Sequence, residues 1–256
     1  FNDGWRFILA DSAKMAQADY NDAYWRQLTL PHDWAIEGDF YAGNPSGASG
    51  GALPGGVGWY RKHFTVDNLR GADRVFIDFD GVYMNSTVYI NGVKLGTRPY
   101  GYSSFRYDLT PYLHRKGDNV IAVRVDNSDQ PNSRWYSGTG IYRPVNLYLG
   151  EKEHIPVNGI RIQTVSLEPA QIQVEVKTSI PGTVKVQILD GEQIVAAIEK
   201  ISEKRIVSKS NGQEQKAVFL LEIPDVKRWS PDSPHLYTLN AAFGNDQVTE
   251  HFGVRT

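Results

Sequence analysis

Apolar and polar residues alternate along most of this chain, and a period of two predicts β-strands. In the first half the segments RVFIDFD, STVYIN and NVIAVRVD each place their apolar residues on one face. Asn91-Gly92 follows the second segment and predicts a two-residue hairpin turn, because both residues tolerate a positive φ. One segment, DLTPYLHRK, predicts a helix of about two turns, with Asp108 or Thr110 as N-cap and Pro111 in the first helical position.

The second half repeats the alternation in AQIQVEVKT, TVKVQILDG and KAVFLLEI. Turn residues recur about every 8 to 12 positions there, which is typical of a small antiparallel sandwich of immunoglobulin type. The charged segment EKISEKRIVSKSNGQEQK predicts a long exposed hairpin or loop. The pattern of strand and turn residues changes near Glu151, so we predict two domains, at residues 1–150 and 151–256.

A run rich in Gly, Ser and Pro, YAGNPSGASGGALPGGVG, lies between Tyr41 and Gly58. Its composition predicts a loop and not a strand. It is either a surface loop or a lid over a ligand. It contains no G-x-x-x-x-G-K pattern, so it is not a phosphate-binding loop.

Composition excludes several classes of partner. The net charge is -2, so the chain has no basic surface for nucleic acid or an anionic membrane. No apolar run approaches the roughly 20 residues of a membrane-spanning helix. The absence of cysteine excludes disulfides, zinc ribbons and thiol nucleophiles. The 14 tyrosines and 6 tryptophans suit sugar stacking, but they also suit the core of a β-sandwich.

Motifs for catalysis are missing. The six histidines are scattered and form no H-E-x-x-H pair, and the chain has no G-x-S-x-G elbow. No spacing selects two of the many Asp and Glu residues as a glycosidase pair. Asn85-Ser86-Thr87 matches a glycosylation acceptor, but it falls in a predicted strand and we interpret it as a chance match.

Several segments taken together resemble glycoside hydrolase family 2, in particular its β-galactosidase-like members. They occur in the family's order along essentially the whole chain: FNDGWRF, LPHDW, GWYRKHFTV, FDGVYMNSTVYINGVKLG, YDLTPYL, NVIAVRVDN, SRWYSGTGIYRPV, RWSPDSPHLYTL and FGVRT. Each motif is weak by itself, but their number and order are specific.

The resemblance implies an all-β fold, with an amino-terminal jelly-roll sugar-binding domain followed by an immunoglobulin-like β-sandwich. In the full family a (β/α)₈ barrel then carries two catalytic glutamates, one of which follows an Asn. This chain has no Asn-Glu dipeptide and stops at Thr256, where the barrel would begin. We therefore expect a non-catalytic portion of a β-galactosidase-type enzyme, whose partners are a carbohydrate and the barrel of the same polypeptide.

By resemblance, the loops around PHDW and DNSDQPNSRWYSG face the sugar pocket. Carboxylates and amides bind sugar hydroxyls and an indole stacks on a pyranose ring, so the candidate sugar-contacting residues are His32, Asp33, Asp126, Asn127, Arg134, Trp135 and Tyr136. Some family members carry an acidic residue near the position of Arg134, where it contacts a cation. Because this chain departs from that pattern, we predict no metal site, and we predict no cofactor.

The other aromatic and glycine residues around these loops have structural interpretations. Trp5, Trp34 and Trp59 are expected in the core, and Arg143 is expected to pair with a buried carboxylate or with the adjoining domain. In SRWYSGTGIYRPV two glycines let the chain turn, and the carboxyl half re-enters the sheet as a closing strand. Only its first part, residues 133–136, stays a candidate for sugar contact.

Two alternatives stay open. The chain is either part of such an enzyme or a stand-alone carbohydrate-binding or adhesion module, and the enzyme's sugar is a β-galactoside, a β-glucuronide or a β-mannoside. The chain starts at Phe1, which suggests that an upstream segment was removed. Bacterial enzymes of this type are often exported, so we expect a periplasmic or secreted protein.

Overall fold

The computed structural model describes residues 1–66, 72–208 and 212–255, and the chain divides between Leu149 and Gly150 into two compact units. Each unit is built from antiparallel sheets, and the only helices in the described ranges are 3-10 turns of three or four residues. None of the helices found there has the length and apolar character that crossing a membrane requires. The all-β prediction is confirmed.

The described part of unit 1, residues 1–66 and 72–149, contains nine strands. They are β1 (Trp5–Leu9), β2 (Arg26–Leu28), β3 (Gly56–Thr65), β4 (Arg74–Phe79), β5 (Ser86–Ile90), β6 (Val93–Arg98), β7 (Phe105–Asp108), β8 (Asp118–Asn127) and β9 (Val145–Gly150, whose last residue is already in unit 2). One sheet has six strands in the order β2-β1-β3-β8-β5-β6, and the other has three in the order β7-β4-β9.

The main core of unit 1 consists of the residues that the alternation predicted. Val75, Ile77 and Phe79 on β4 are fully buried and belong to one cluster with the apolar faces of β5 and β8. Successive residues of a strand point to opposite faces, so on β3 Tyr60 enters this cluster whereas Trp59 enters a second, smaller one. The tryptophans predicted to be core residues are all buried.

The predicted hairpin is confirmed, because Ile90 pairs with Val93 and the turn residues Asn91 and Gly92 have φ values of 50° and 82°. The predicted two-turn helix is wrong. Only Thr110–Tyr112 forms a 3-10 turn. The amide of His114 donates to Oδ1 of Asn119 (2.8 Å), which removes the donor that would have continued a helix.

The loop formed by the Gly-rich run is shorter than predicted, because β3 begins inside the run and Gly56 already pairs with Asn127 on β8. Hydrogen bonds within the run hold its remaining residues together. The buried Ser46 hydroxyl donates to the carbonyl of Leu53 (2.8 Å), and the amide of Ala52 donates to the carbonyl of Gly47 (2.7 Å). These bonds give the loop a defined conformation.

Unit 2, residues 150–256, is a sandwich of two four-stranded sheets. Its strands are β10 (Ile160–Leu167), β11 (Ala170–Thr178), β12 (Thr183–Asp190), β13 (Gln193–Ile201), β14 (Glu203–Ser208), β15 (Gly212–Glu222), β16 (Tyr237–Phe243) and β17 (Asp246–Phe252). The orders β10-β11-β15-β14 and β13-β12-β16-β17 are those of an immunoglobulin-type sandwich with one added edge strand. The charged segment is largely strand, and β14 pairs antiparallel with β15; residues 209–211 lie outside the described ranges.

Candidate functional site

An open cleft of about 440 Å³ lies on the surface of unit 1. Two chain segments, 31–36 and 136–142, provide its lining: Pro31, His32, Asp33, Ile36, Tyr136, Ser137, Gly138 and Tyr142. A separate crevice, between the Gly-rich loop and residues 127–139, has a cavity volume of about 20 Å³, which is enough for one water molecule. Of the two, only the cleft has the size of a small-molecule site.

Backbone hydrogen bonds join the two segments of the cleft. The amide of His32 donates to the carbonyl of Ile141 (2.8 Å), and the amide of Trp34 donates to the carbonyl of Thr139 (3.1 Å). The indole of Trp34 is buried beneath them, and its Nε1 donates to the carbonyl of Gly55 (3.2 Å). The cleft is therefore formed by two loops that are hydrogen-bonded to each other.

Asp33 lies at the centre of this arrangement. Its Oδ1 accepts hydrogen bonds from the amides of Ala35 (3.0 Å) and Thr139 (3.0 Å), and its Oδ2 accepts one from the phenol of Tyr136. The side chain is only partly buried. A carboxylate held by three donors has a fixed orientation and still has lone pairs for a hydroxyl group in the cleft.

Tyr136 covers one side of the cleft and is 41% exposed. Burial of its hydroxyl, together with the negative charge of Asp33, raises the pKa of Tyr136 well above the ordinary value for a phenol. The phenol therefore stays protonated at neutral pH and remains a donor to Asp33. Its ring presents an amphipathic face of the kind that packs on sugars.

His32 supports the cleft from below. Its Nδ1 is 2.8 Å from the hydroxyl of Tyr60, and its Nε2 is 2.7 Å from Nη2 of Arg26 and 3.2 Å from Oε1 of Glu37. Burial lowers the pKa of His32 and outweighs the opposing effect of Glu37, so the imidazole is neutral at pH 7. Both ring nitrogens already face protein groups.

Asn127 and Asp126 lie outside the cleft lining. Asn127 is 3% exposed; its Nδ2 donates to Thr139 Oγ1 (2.9 Å), and its Oδ1 accepts from the amides of Gln130 and Asn132 (both 2.8 Å). These bonds use its amide to fix the loop that carries Trp135.

Asp126 is held by its own surroundings. Its Oδ1 accepts from the amide (3.1 Å) and the hydroxyl (2.5 Å) of Ser128, and its Oδ2 is 3.1 Å from Nη1 of Arg124. Burial raises its pKa, but the bonds from Ser128 and Arg124 outweigh burial and hold the pKa of Asp126 below the ordinary value. It is a charged support at the end of β8.

Trp135 and Arg134 do not line the cleft, although Trp135 lines the neighbouring crevice. Trp135 is 60% exposed, and its Nε1 donates to the hydroxyl of Tyr102 (2.9 Å). The guanidinium of Arg134 is exposed and has no hydrogen bond or ion pair with the parts of unit 1 that the structure describes. Within that same part Arg143 has no carboxylate partner and lies over the ring of Tyr142, 5.3 Å from the centroid. Of its two predicted partners, a buried carboxylate is not found there, and pairing with the adjoining domain stays a prediction.

Sequence reasoning missed Tyr100, Tyr102 and Tyr142, which accompany the predicted residues. Tyr142 lines the cleft and donates from its hydroxyl to the carbonyl of Gly101 (2.8 Å). The available signal was the segment RPYGYSSF, which places two tyrosines beside a glycine between strands. Whether any of these residues contacts a sugar stays a prediction.

Two family models match the chain. The model described as "Glycosyl hydrolases family 2, sugar binding domain" matches residues 52–150, and the one described as "Glycosyl hydrolases family 2" matches residues 155–255. Together they cover most of both units.

Individual relatives point to the same family. A protein named Beta-galactosidase BoGH2A, from Bacteroides ovatus, is 45% identical over all of this chain and 31% of its own length. A putative beta-glucuronidase from Formosa agariphila is 41% identical over all of this chain and 25% of its own length. The crystal structure of a beta-glycosidase from Bacteroides vulgatus is 38% identical, with a TM-score of 0.80 over all of this chain and 33% of that one. The chain thus spans about a third or less of the length of these relatives.

Proposed function

We propose, from the premise that this chain belongs to glycosyl hydrolase family 2, that residues 1–256 are the non-catalytic portion of a β-galactosidase-type enzyme. In this proposal the catalytic carboxylates belong to a barrel outside these residues. Unit 1 contributes one wall of the sugar pocket, and unit 2 is a structural domain. The enzyme releases terminal β-galactosides.

The observation that carries the proposal is the cleft built on Asp33 and Tyr136. Three donors hold the Asp33 carboxylate in one orientation and leave it lone pairs for a sugar hydroxyl. Tyr136 adds a half-exposed ring beside it. A sugar presents hydroxyls next to an apolar ring face, and this pair of side chains matches both features. The cleft is open on one side, so a second domain has room to complete the pocket.

The choice of sugar follows the relative with 45% identity, which is named a β-galactosidase. The second candidate is a β-glucuronide, because the relative with 41% identity is named a putative β-glucuronidase. A stand-alone adhesion module is less well supported, since relatives of both names extend well beyond the residues that correspond to this chain.

The proposal is tested on the longer polypeptide that contains these residues and on residues 1–256 alone. The substrates are the nitrophenyl β-galactoside, β-glucuronide and β-mannoside. We expect the longer protein to turn over the galactoside fastest and residues 1–256 to show no turnover above background. Turnover by a pure sample of residues 1–256 would contradict the non-catalytic assignment, and faster cleavage of the glucuronide would move the assignment to the second candidate.

The role of the cleft is tested in the longer protein with Tyr136→Phe and Asp33→Asn. Asp33→Asn removes the charge of the acceptor for a substrate hydroxyl, and Tyr136→Phe removes the hydroxyl that orients this acceptor, so each is expected to raise KM about three- to tenfold, with a smaller effect on kcat. The matched control is Asp19→Asn, which changes an exposed carboxylate that does not line the cleft. A KM that matches the wild type in both cleft variants would contradict a role of the cleft as one wall of the sugar pocket.

We also propose that the protein is exported, as the family resemblance suggests. Fractionation of the source cells is the test: signal in the periplasmic or culture fraction supports export, and signal only in the cytoplasmic fraction contradicts it.

A further inference from the structure

Three aromatic side chains outside the cleft form an exposed surface on unit 1. Tyr100, Tyr102 and Trp135 are 63%, 37% and 60% exposed, and we call them the aromatic ridge. Aromatic side chains of this size usually bury most of their area, so three exposed ones in contact indicate a surface that meets a ligand.

The ridge is continuous and fixed in place. The rings of Tyr100 and Tyr102 are 5.6 Å apart between centroids and inclined by 60°, and Trp135 Nε1 donates to the hydroxyl of Tyr102 (2.9 Å). The buried Tyr83 supports Tyr102 edge-on from beneath, with centroids 5.5 Å apart. A side chain at Gly101 would meet the Tyr83 ring at 2.2 Å, so the backbone sits directly on that ring.

The ridge extends the cleft. Tyr142 lines the cleft and donates to the carbonyl of Gly101, which lies between the two ridge tyrosines. A ligand whose terminal sugar occupies the cleft therefore has its next residues beside the ridge. Because two of the ridge rings are strongly inclined to each other, one flat ligand cannot lie against both. Successive sugar rings of a twisted oligosaccharide can each pack against one of these two aromatic rings.

Two arginines adjoin Trp135 and Tyr142. Arg134 precedes Trp135 in the chain, and the Arg143 guanidinium lies 5.3 Å from the centroid of Tyr142. Both arginines are exposed, and within the described parts of unit 1 neither has a carboxylate partner. Guanidinium groups bind carboxylates in a two-pronged geometry, so unpaired ones beside stacking rings favour a ligand that carries carboxylates.

We propose that the aromatic ridge, with Arg134 and Arg143, binds an acidic oligosaccharide: the uronate-bearing part of a glycan beyond the sugar that occupies the cleft. This inference rests on the proposed function, which places the terminal sugar in the cleft. The rings supply stacking area, and the arginines select carboxylate-bearing sugar units over neutral ones.

The test is a titration of residues 1–256 followed by NMR of ¹⁵N-labelled tryptophan indoles. The chain has six tryptophans, and Trp135→Phe identifies the resonance of Trp135. The probes are a hyaluronan tetrasaccharide, which carries uronates, and cellotetraose, which is neutral and of equal length. We expect the hyaluronan probe to shift the Trp135 resonance and to bind at least about fivefold more tightly than cellotetraose.

Variants locate the binding. Tyr100→Ala and Arg134→Gln are each expected to weaken binding of the hyaluronan probe about fivefold. Raising the salt concentration should weaken the wild type more than Arg134→Gln, because exposed charge pairs are screened. The matched control is Tyr112→Ala, which removes an exposed tyrosine from the 3-10 turn after β7 and is expected to leave binding unchanged. Unchanged positions of the other five indole resonances verify folding.

Three results would overturn the inference. Equal affinity for the two probes contradicts selection for acidic sugars. A shift of Trp135 that is unaffected by Tyr100→Ala and Arg134→Gln contradicts the ridge as the site. No shift of Trp135 with either probe contradicts glycan binding at the ridge. None of these results bears on the proposed function, which is decided by turnover in the longer polypeptide.

Discussion

Tyr136 donates its phenolic hydrogen to Asp33 across 103 residues of sequence, and this bond joins the two segments that line the cleft. Asp33 also accepts the amide of Thr139, which lies in the same segment as Tyr136. The carboxylate thus fixes both the backbone and the side chain of the opposite wall. Asp33 therefore adds to the two backbone hydrogen bonds that join these segments.

Replacement of this carboxylate is expected to destabilise unit 1. Asp33→Ala leaves the amides of Ala35 and Thr139 without their acceptor and should lower the free energy of unfolding by about 2 kcal/mol. Tyr136→Phe removes one partly exposed bond and should cost about 1 kcal/mol. Urea unfolding followed by tryptophan fluorescence measures both, since five of the six tryptophans lie in unit 1. A cost for Asp33→Ala no larger than that for Asp19→Ala would show that the carboxylate does not hold the walls together.

Asn127 is expected to control the order of the loop that carries Trp135. Asn127→Ala removes its bonds to Thr139, Gln130 and Asn132 and should lower the free energy of unfolding by about 2 kcal/mol. Amide hydrogen exchange in residues 128–137 should become faster, whereas exchange in unit 2 should stay as in the wild type. Unaltered exchange in that loop would contradict the role.

The strands could be predicted from sequence because their signal is local. Ile172, Val174 and Val176 alternate along β11, and all three are fully buried. The helix predicted around Pro111 failed because a nearby polar side chain competes for its backbone groups: Asn119, five residues after His114 and near the start of β8, binds both the amide and the carbonyl of His114. Hydrogen bonds from an Asn side chain to the backbone compete with the helix, and they leave no mark on hydrophobic periodicity.

The candidate site could be predicted only as two loops. Asp33 and Tyr136 were both selected by resemblance, but the bond between them depends on how the loops cross and has no sequence signal. Asn127 has the same chemistry as a sugar-binding amide, yet it is buried with its polar atoms bonded to the protein. Residue type indicates what a side chain can bind, whereas burial decides whether a ligand reaches it.

Gly140 is a position where a methyl group should disrupt the cleft. Its φ is 126°, and a Cβ there would lie 2.4 Å from the hydroxyl of Tyr60 and 2.7 Å from the carbonyl oxygen of His32. Gly140→Ala is expected to lower the free energy of unfolding by about 3 kcal/mol, because backbone strain and collision add. Gly117→Ala is the control, since Gly117 also has a positive φ of 89° but has open space around it. Equal costs for the two variants, measured by urea unfolding, would leave no role for the collision.

A buried charge cluster holds residues 11–25 against the six-stranded sheet of unit 1. The guanidinium of the fully buried Arg61 donates from Nε to Asp22 (2.7 Å) and from Nη1 to the carbonyls of Met15 (2.7 Å) and Gln17 (2.9 Å). His63 approaches the same carboxylate, with Nε2 3.0 Å from Oδ2 of Asp22. Breaking a buried pair leaves a charge without a partner, so this cluster is sensitive to protonation.

Acid is expected to destabilise unit 1 through Asp22. Burial alone would raise the pKa of Asp22, but the bonds from Arg61, His63 and Arg6 outweigh it and hold that pKa below the ordinary value. A carboxyl group whose pKa is lower in the folded state stabilises the fold above its unfolded pKa of about 3.9. This stabilisation is lost as pH falls below about 4 and through the folded pKa.

The measurement is the free energy of unfolding of unit 1 between pH 2.5 and 7, for the wild type and Asp22→Asn. The wild type should lose stability steeply below about pH 4. Asp22→Asn should be less stable by about 3 kcal/mol at pH 7, because Arg61 loses its charged partner, and its acid limb should be shallower. Asp19→Asn, an exposed carboxylate change close in sequence, should follow the wild-type curve. An acid limb of wild-type slope in Asp22→Asn would mean that other carboxylates cause the acid sensitivity.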